Sequence, residues 1–215
     1  MATDGSDEEG LVALLDSVWG QLQFDSPWIA EREHEVAVES LRRFLRWHDG
    51  RPERTYLGAE VQFSVALTLD DGEQIELGGR VDRVETDDEG RVVIVDFKTN
   101  KTPPPDIQVR ESPQLGIYQL AVDEGGFDEL AGEGARSGGA ELVQLRADKG
   151  GFPKVQPQEP QTPDSEGRKT IEVQLASGAH VVRREEFAAQ ANKLCARCEF
   201  QHLCPTQQRT GTVLS

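Results

Sequence analysis

Four side chains in the sequence have the types and spacing for chemistry: Glu60, Asp82, Asp96 and Lys98. They lie in segments 57–69, 75–86 and 91–99, which are rich in Val, Ile, Phe and Thr and read as strands. Asp70-Asp71-Gly72 and Asp87-Asp88-Glu89-Gly90 read as the turns between them. In an antiparallel hairpin, residues equidistant from the turn centre oppose each other. Glu60 and Asp82 are equidistant from Asp71, and Asp82 and Asp96 from Glu89. The three carboxylates should therefore lie side by side on adjacent strands, with opposed Cβ atoms about 4.5–5.5 Å apart. Lys98, two residues beyond Asp96, points to the same face.

Carboxylates packed together repel one another, so such a cluster is not built for stability. A divalent cation resolves the repulsion, and magnesium or manganese suits hard oxygen ligands. Such an ion polarises a phosphoryl oxygen and makes hydroxide available near neutral pH. A neighbouring lysine can orient the water or neutralise developing charge. The competing reading is a row of solvent-facing acids on an edge hairpin. The run Val92-Val93-Ile94-Val95 directly before Asp96 favours the metal site, because a central strand should emerge from the core there.

A second constellation is Cys195-x2-Cys198-x5-Cys204-Pro205. An odd set of three cysteines is no disulfide framework. Thiols this close suit a zinc or iron–sulfur site. A tetrahedral site needs a fourth ligand, and His202 is awkwardly placed for zinc because it nearly adjoins Cys204.

The elements that must position these residues are legible in outline. Residues 1–9 read as a disordered acidic tail, and residues 10–56 as N-terminal helices, one over 11–19 and one over 28–47. Pro27 suits a helix N1 position. The core spans 57–183. Its run of residues apolar on both parities, 92–95, implies a sheet covered on both faces. Residues 112–122 read as a helix with Ser112 as N-cap and Pro113 at N1. Residues 142–145 read as a fourth strand, 148–168 as a mobile insertion, and 170–175 as a short strand. Segment 184–215 reads as a helix over 185–194 leading into a cysteine tail. The expected class is α/β, a central mixed sheet flanked by helices.

Composition narrows the partners. There are 23 Lys and Arg against 39 Asp and Glu, a net charge of −16. That argues against a generic nucleic-acid coat or an anionic membrane surface. It does not exclude a nuclease whose metal ions and local basic residues meet the phosphates. The N-terminus lacks the basic and apolar regions of a signal peptide, and no apolar run approaches a membrane span. A cytoplasmic, soluble protein is expected. There is no GxxxxGK[ST], so the chain carries no P-loop.

Gly79-Arg80-Val81-Asp82-Arg83-Val84, then Val95-Asp96-Phe97-Lys98-Thr99, then Gln114-x-x-x-Tyr118 resembles the RecB-type branch of the PD-(D/E)xK nuclease superfamily. More narrowly, the set resembles the C-terminal nuclease domain of actinobacterial UvrD-like helicase–nucleases of the AddB/AdnB group. The resemblance covers about residues 57–205 and implies a restriction-endonuclease-like core. It implies roles as well. Asp82 and Asp96 match the metal-binding acids, Lys98 the catalytic lysine, and the Phe97 carbonyl a backbone metal ligand. Glu60 matches the acid of the first core strand. Gln114 and Tyr118, one helical turn apart, match a helix bordering the active site and the DNA. Mg2+ or Mn2+ would be the catalytic ion. The cysteines match three ligands of a [4Fe–4S] cluster whose fourth cysteine lies upstream of the core. Family members also carry a metal-ligating histidine before the first core strand, in a G-x-x-x-H setting this chain lacks. His34 is a poor match for it, and His48, His180 and His202 read as exposed. One N-terminal truncation would explain the missing cysteine and histidine together.

The expected activity is metal-dependent hydrolysis of phosphodiester bonds in DNA during end processing and repair. The implied partners are single-stranded DNA or duplex ends, helicase motor domains in the same parent chain and a second helicase–nuclease subunit. Local basic residues Arg80, Arg83, Lys98, Lys101 and Arg110 would assist with DNA. A non-catalytic DNA-end-binding scaffold and a zinc-binding interaction domain are the alternatives.

Overall fold

The structure, a computed structural model, describes residues 8–69 and 72–206. The expectations for residues 1–7, for Asp70 and Asp71 of the first turn, and for the chain after 206 lie outside these residues. Glu8 and Glu9, expected in the tail, form the first turn of α1 (Glu8–Trp19).

Helix α2 (Pro27–Asp49) begins as expected, with Ser26 extended at the N-cap and Pro27 in the first turn. His34 fastens α1 to α2: its Nε2 lies 2.6 Å from Asp16 Oδ1 and its ring stands edge-on to Trp19. Three strands follow, β1 (Thr55–Thr68), β2 (Gln74–Thr86) and β3 (Val92–Lys98). They form an antiparallel meander. The crossover carries α3 (Asp106–Arg110), α4 (Pro113–Asp123) and α5 (Asp128–Ala131). It returns to β4 (Ser137–Lys149), which pairs parallel with β3. An antiparallel edge strand, β5 (Phe152–Gln158), completes a five-stranded sheet in the order β1-β2-β3-β4-β5.

The sheet is covered on both faces, as the 92–95 run required. On one face Phe44 and Trp47 of α2 pack on Val95, Phe97 and Val143. On the other, Phe63 of β1 packs against Tyr118 of α4 and Phe127. Helix α4 is buried almost all round, so its sequence lacks a polar stripe. Ser112 caps it, its Oγ accepting from the Leu115 amide at 3.5 Å.

Several expectations need correction. The segment expected as a mobile insertion, 148–168, contains β5. Pro153 and Pro157 hid this strand, and both are tolerated because β5 lies at the edge. The fourth strand, expected over 142–145, is far longer. Residues 170–175, expected as a strand, open the helix α6 (Thr170–Arg184). The helix expected over 185–194 is absent: that stretch is exposed and irregular, and the following single turn, Cys195–Arg197, is 3-10. The β-branched residues at the start of α6 suggested a strand, but the apolar face at Ile171 repeats with helical spacing. The chain forms two compact units, Met1–Gln174 and Leu175–Ser215. No described helix is long and apolar enough to cross a membrane.

Candidate active site

The register derived from the turns holds. Ala59 pairs with Arg83 and Val61 with Val81, which sets Glu60 opposite Asp82. Arg83 pairs with Val95 and Val84 with Ile94, which sets Asp82 opposite Asp96. The last ladder rung between β2 and β3 is at Arg83. Just beyond it the Asp82 side chain replaces the backbone, its Oδ2 accepting from the Phe97 amide at 2.7 Å.

Asp96 is the centre of the site. It is 4 % exposed. Its Oδ1 accepts from Gln114 Nε2 at 3.0 Å and faces the Tyr118 hydroxyl at 3.5 Å. Gln114 also donates to the Tyr118 hydroxyl, at 2.8 Å. Asp96 Oδ2 accepts no aligned hydrogen bond but lies 2.6 Å from the Lys98 ammonium. Burial raises the Asp96 pKa above the usual carboxylate range, the Lys98 ammonium opposes the rise, and the neighbouring Asp82 charge adds to it. The Tyr118 hydroxyl is also pushed up by burial. Asp82, Asp96, Lys98, Gln114 and Tyr118 are thus brought together.

Glu60 is not drawn in with them. It stands in register, but its carboxylate pairs with Arg80 at 3.0 Å and is largely exposed. Its backbone has φ +53°, in the left-handed region. The reason lies in the sheet. Ala59 is opposite Arg83, whose guanidinium stacks on Trp47 on the α2 face. Phe63, of the same parity, packs on Tyr118 on the α4 face. Alternation breaks between them, and Glu60 occupies the break. Register arithmetic fixes which residues oppose; it says nothing of a residue whose backbone turns its side chain away.

Asp82 and Asp96 fit a hard divalent cation. Among the described residues Asp82 has one oxygen engaged by protein, and the buried Asp96 Oδ2 has no aligned donor. Magnesium commonly takes only one or two carboxylates, filling its shell with water and substrate phosphate. Among the described residues no group of three or more His, Cys, Asp or Glu side chains stands close enough to hold a metal. Cys195 and Cys204 are partly buried and Cys198 exposed. Cys195 Sγ accepts from the Asn192 amide at 3.1 Å, and Cys204 Sγ lies 3.1 Å from Thr206 Oγ1. As they stand, the three thiols do not fit a cluster.

Two buried polar systems had no sequence signal beyond their residue types. On the α2 face, Arg83 pairs with Glu85 at 2.7 Å, and Arg51 bridges Glu85 and Glu141 at 3.5 and 2.5 Å. His48 joins it at 3.1 Å from Arg83. Arg83 is therefore structural rather than a DNA contact, and His48 is half-buried rather than exposed. On the α4 face, Gln158 of β5 donates to the carbonyls of Val109, Arg110 and Ser112 at 3.1, 3.0 and 3.1 Å. Gln119 of α4 donates in turn to Gln158 Oε1 at 2.8 Å. This clamp fixes the corner from which α4 presents Gln114 and Tyr118 to Asp96.

A mixed sheet presenting Asp82, Asp-x-Lys and a helix-borne Gln-x-x-x-Tyr defines a class. The model of the PD-(D/E)XK nuclease superfamily matches residues 1–205. The chain belongs to that superfamily, whose members are generally phosphodiesterase nucleases using Mg2+ or Mn2+. Among solved structures, the crystal structure of SSO0001 is similar at 16 % identity, covering 93 % of this chain and 82 % of that chain with a TM-score of 0.46. No curated protein matches the sequence.

Proposed function

We propose that this chain is the metal-dependent DNA nuclease domain of a helicase–nuclease acting in DNA end processing and repair. The observation that carries the catalytic part is the pairing of buried Asp96 with half-buried Lys98, 2.6 Å apart beside Asp82. Structural ion pairs seldom leave a buried carboxylate oxygen without an aligned donor and beside a second acid.

Asp82 and Asp96 would hold Mg2+ or Mn2+, with the Phe97 carbonyl as a backbone ligand. When bound, the ion polarises the phosphoryl oxygen and lowers the pKa of water. Lys98 positions the attacking water and offsets the negative charge that grows on the phosphorane oxygens. Gln114 holds Asp96 Oδ1, which leaves Oδ2 on the Lys98 side. Tyr118 braces Gln114. Glu60 would join only by leaving Arg80, an exposed pair worth little in stability.

The helicase–nuclease context is supported by the resemblance of the motif set and by the Cys195, Cys198 and Cys204 spacing. A [4Fe–4S] cluster would belong to a longer parent supplying a fourth cysteine, with zinc as the alternative metal. A motor in the same parent and a second subunit would be the partners. A non-catalytic DNA-binding scaffold is the second reading, favoured by the absence of a three-ligand group among the described residues.

The test is cleavage of labelled single-stranded DNA with Mg2+ or Mn2+ by the wild type, Asp82→Ala and Asp96→Ala. Metal-dependent cleavage lost in both variants, with circular dichroism unchanged, supports catalysis. A wild type that binds DNA but never cleaves it supports the scaffold.

A further inference from the structure

Helix α2 meets the chain beyond β3 and the far end of β4 at a groove of about 450 Å3. Ile29 and Val36 give it an apolar floor, and Trp28, Arg32, Lys101 and Arg146 stand around it with one acid, Glu33. We propose that this groove binds bases and phosphates of a single-stranded DNA segment leading to the carboxylate site. The proposal rests on the reading of that site as a phosphodiesterase.

Trp28 is 64 % exposed, and among the described residues it stacks on no other aromatic ring. An indole held out beside cations is a platform for an unpaired base, and every base offers it a π-face. Duplex bases have no free face, so the platform selects a single strand.

The charge agrees. The chain as a whole carries −16, yet three cations here face one acid. Arg146 Nη1 lies 3.0 Å from Glu33 Oε2, and Lys101 Nζ 3.6 Å from Oε1. The Arg146 hydrogen bond holds the Glu33 carboxyl below its ordinary range, so Glu33 stays ionised and offsets one cation. Among the described residues Arg32 makes no ion pair, and Lys101 is 76 % exposed. A positive excess remains for phosphate.

Position ties the groove to the site. Lys101 follows Lys98 by three residues, a reach of at most ~11 Å. Gln144 pairs with Lys98 in the β3–β4 ladder, and Arg146 lies just beyond it. The groove therefore opens at the strand end that carries Lys98.

The test is fluorescence anisotropy with labelled oligothymidine of about 15 nucleotides, in chelator so that no cleavage intervenes. Trp28→Ala should weaken binding about 5- to 100-fold, and Trp28→Phe should restore most of it. Arg32→Ala should lower the salt slope, log K against log salt, by about 0.7. Binding to a duplex of equal length should change less in each variant. Strand binding within about twofold of wild type in both Trp28→Ala and Arg32→Ala overturns the proposal. Hydrolysis of the small ester bis-p-nitrophenyl phosphate with Mn2+ by the wild type reads the carboxylate site separately from the groove. A wild type inert towards the ester would reject the phosphodiesterase reading while leaving the anisotropy result to decide the groove.

Discussion

At Asp96 burial and charge oppose each other. Burial of the carboxylate in β3 raises its pKa, and Lys98, with a smaller contribution from the Tyr118 hydroxyl, opposes the rise. The folded pKa thus lies above the unfolded one. The associated stability is fully present below the unfolded value and is lost as pH rises through the folded one. In chelator, Asp96→Asn should therefore melt higher than wild type at neutral pH by a few degrees, since about 1 kcal/mol shifts Tm ~2–4 °C at this size. The gap should close as pH falls below the ordinary carboxylate range. A gap independent of pH would refute this placement of the charge. On the proposed reading Lys98 acts on the reaction rather than on the metal. Lys98→Ala should lower kcat about 10²- to 10⁴-fold while calorimetry shows Mg2+ or Mn2+ affinity changed only a few-fold.

Among the elements, the β1–β2 hairpin and α4 set the geometry by different means. The hairpin changes face at Glu60, whose φ of +53° suits glycine better than glutamate. Glu60→Gly should match or exceed wild-type stability in urea unfolding, by up to about 1 kcal/mol. Its lost Arg80 pair is exposed and screened. If that variant also keeps full cleavage, Glu60 is no part of the reaction. Helix α4 depends instead on Gln158, which satisfies three carbonyls at the α3–α4 corner. Gln158→Leu should cost about 1–3 kcal/mol, because the Arg110 carbonyl loses its donor while those of Val109 and Ser112 keep only the Ser112 and Gly116 amides. Its cleavage should fall with KM little changed, since Gln114 loses its aim at Asp96.

For the molecule as a whole, the cysteine segment belongs to the second compact unit, Leu175–Ser215. Its described side chains are mostly exposed and its thiols are not gathered. Replacing Cys195, Cys198 and Cys204 together by alanine should leave the urea midpoint of the core within about 0.5 kcal/mol of wild type. Elemental analysis of this chain produced alone should find well under one iron or zinc per molecule. A stoichiometric metal lost in the triple variant would restore the cluster to this chain.

Alternation, turn chemistry and one doubly apolar run determined by themselves the three-strand meander, its register and the meeting of Asp82, Asp96 and Lys98. These are local matters: a two-residue period and a turn centre suffice to say which residues oppose. The Ser112–Pro113 start of α4 was legible for the same reason. The long β4, the proline-bearing β5, the helical α6 and the glutamine clamp were decided only by tertiary structure, because edge position, sheet pairing and burial override local propensity there. So was the fate of Glu60. Its place opposite Asp82 follows from counting, but its side chain goes where a strained backbone at a change of sheet face sends it. The groove at Trp28 likewise exists only once α2, β4 and the chain beyond Lys98 are brought side by side.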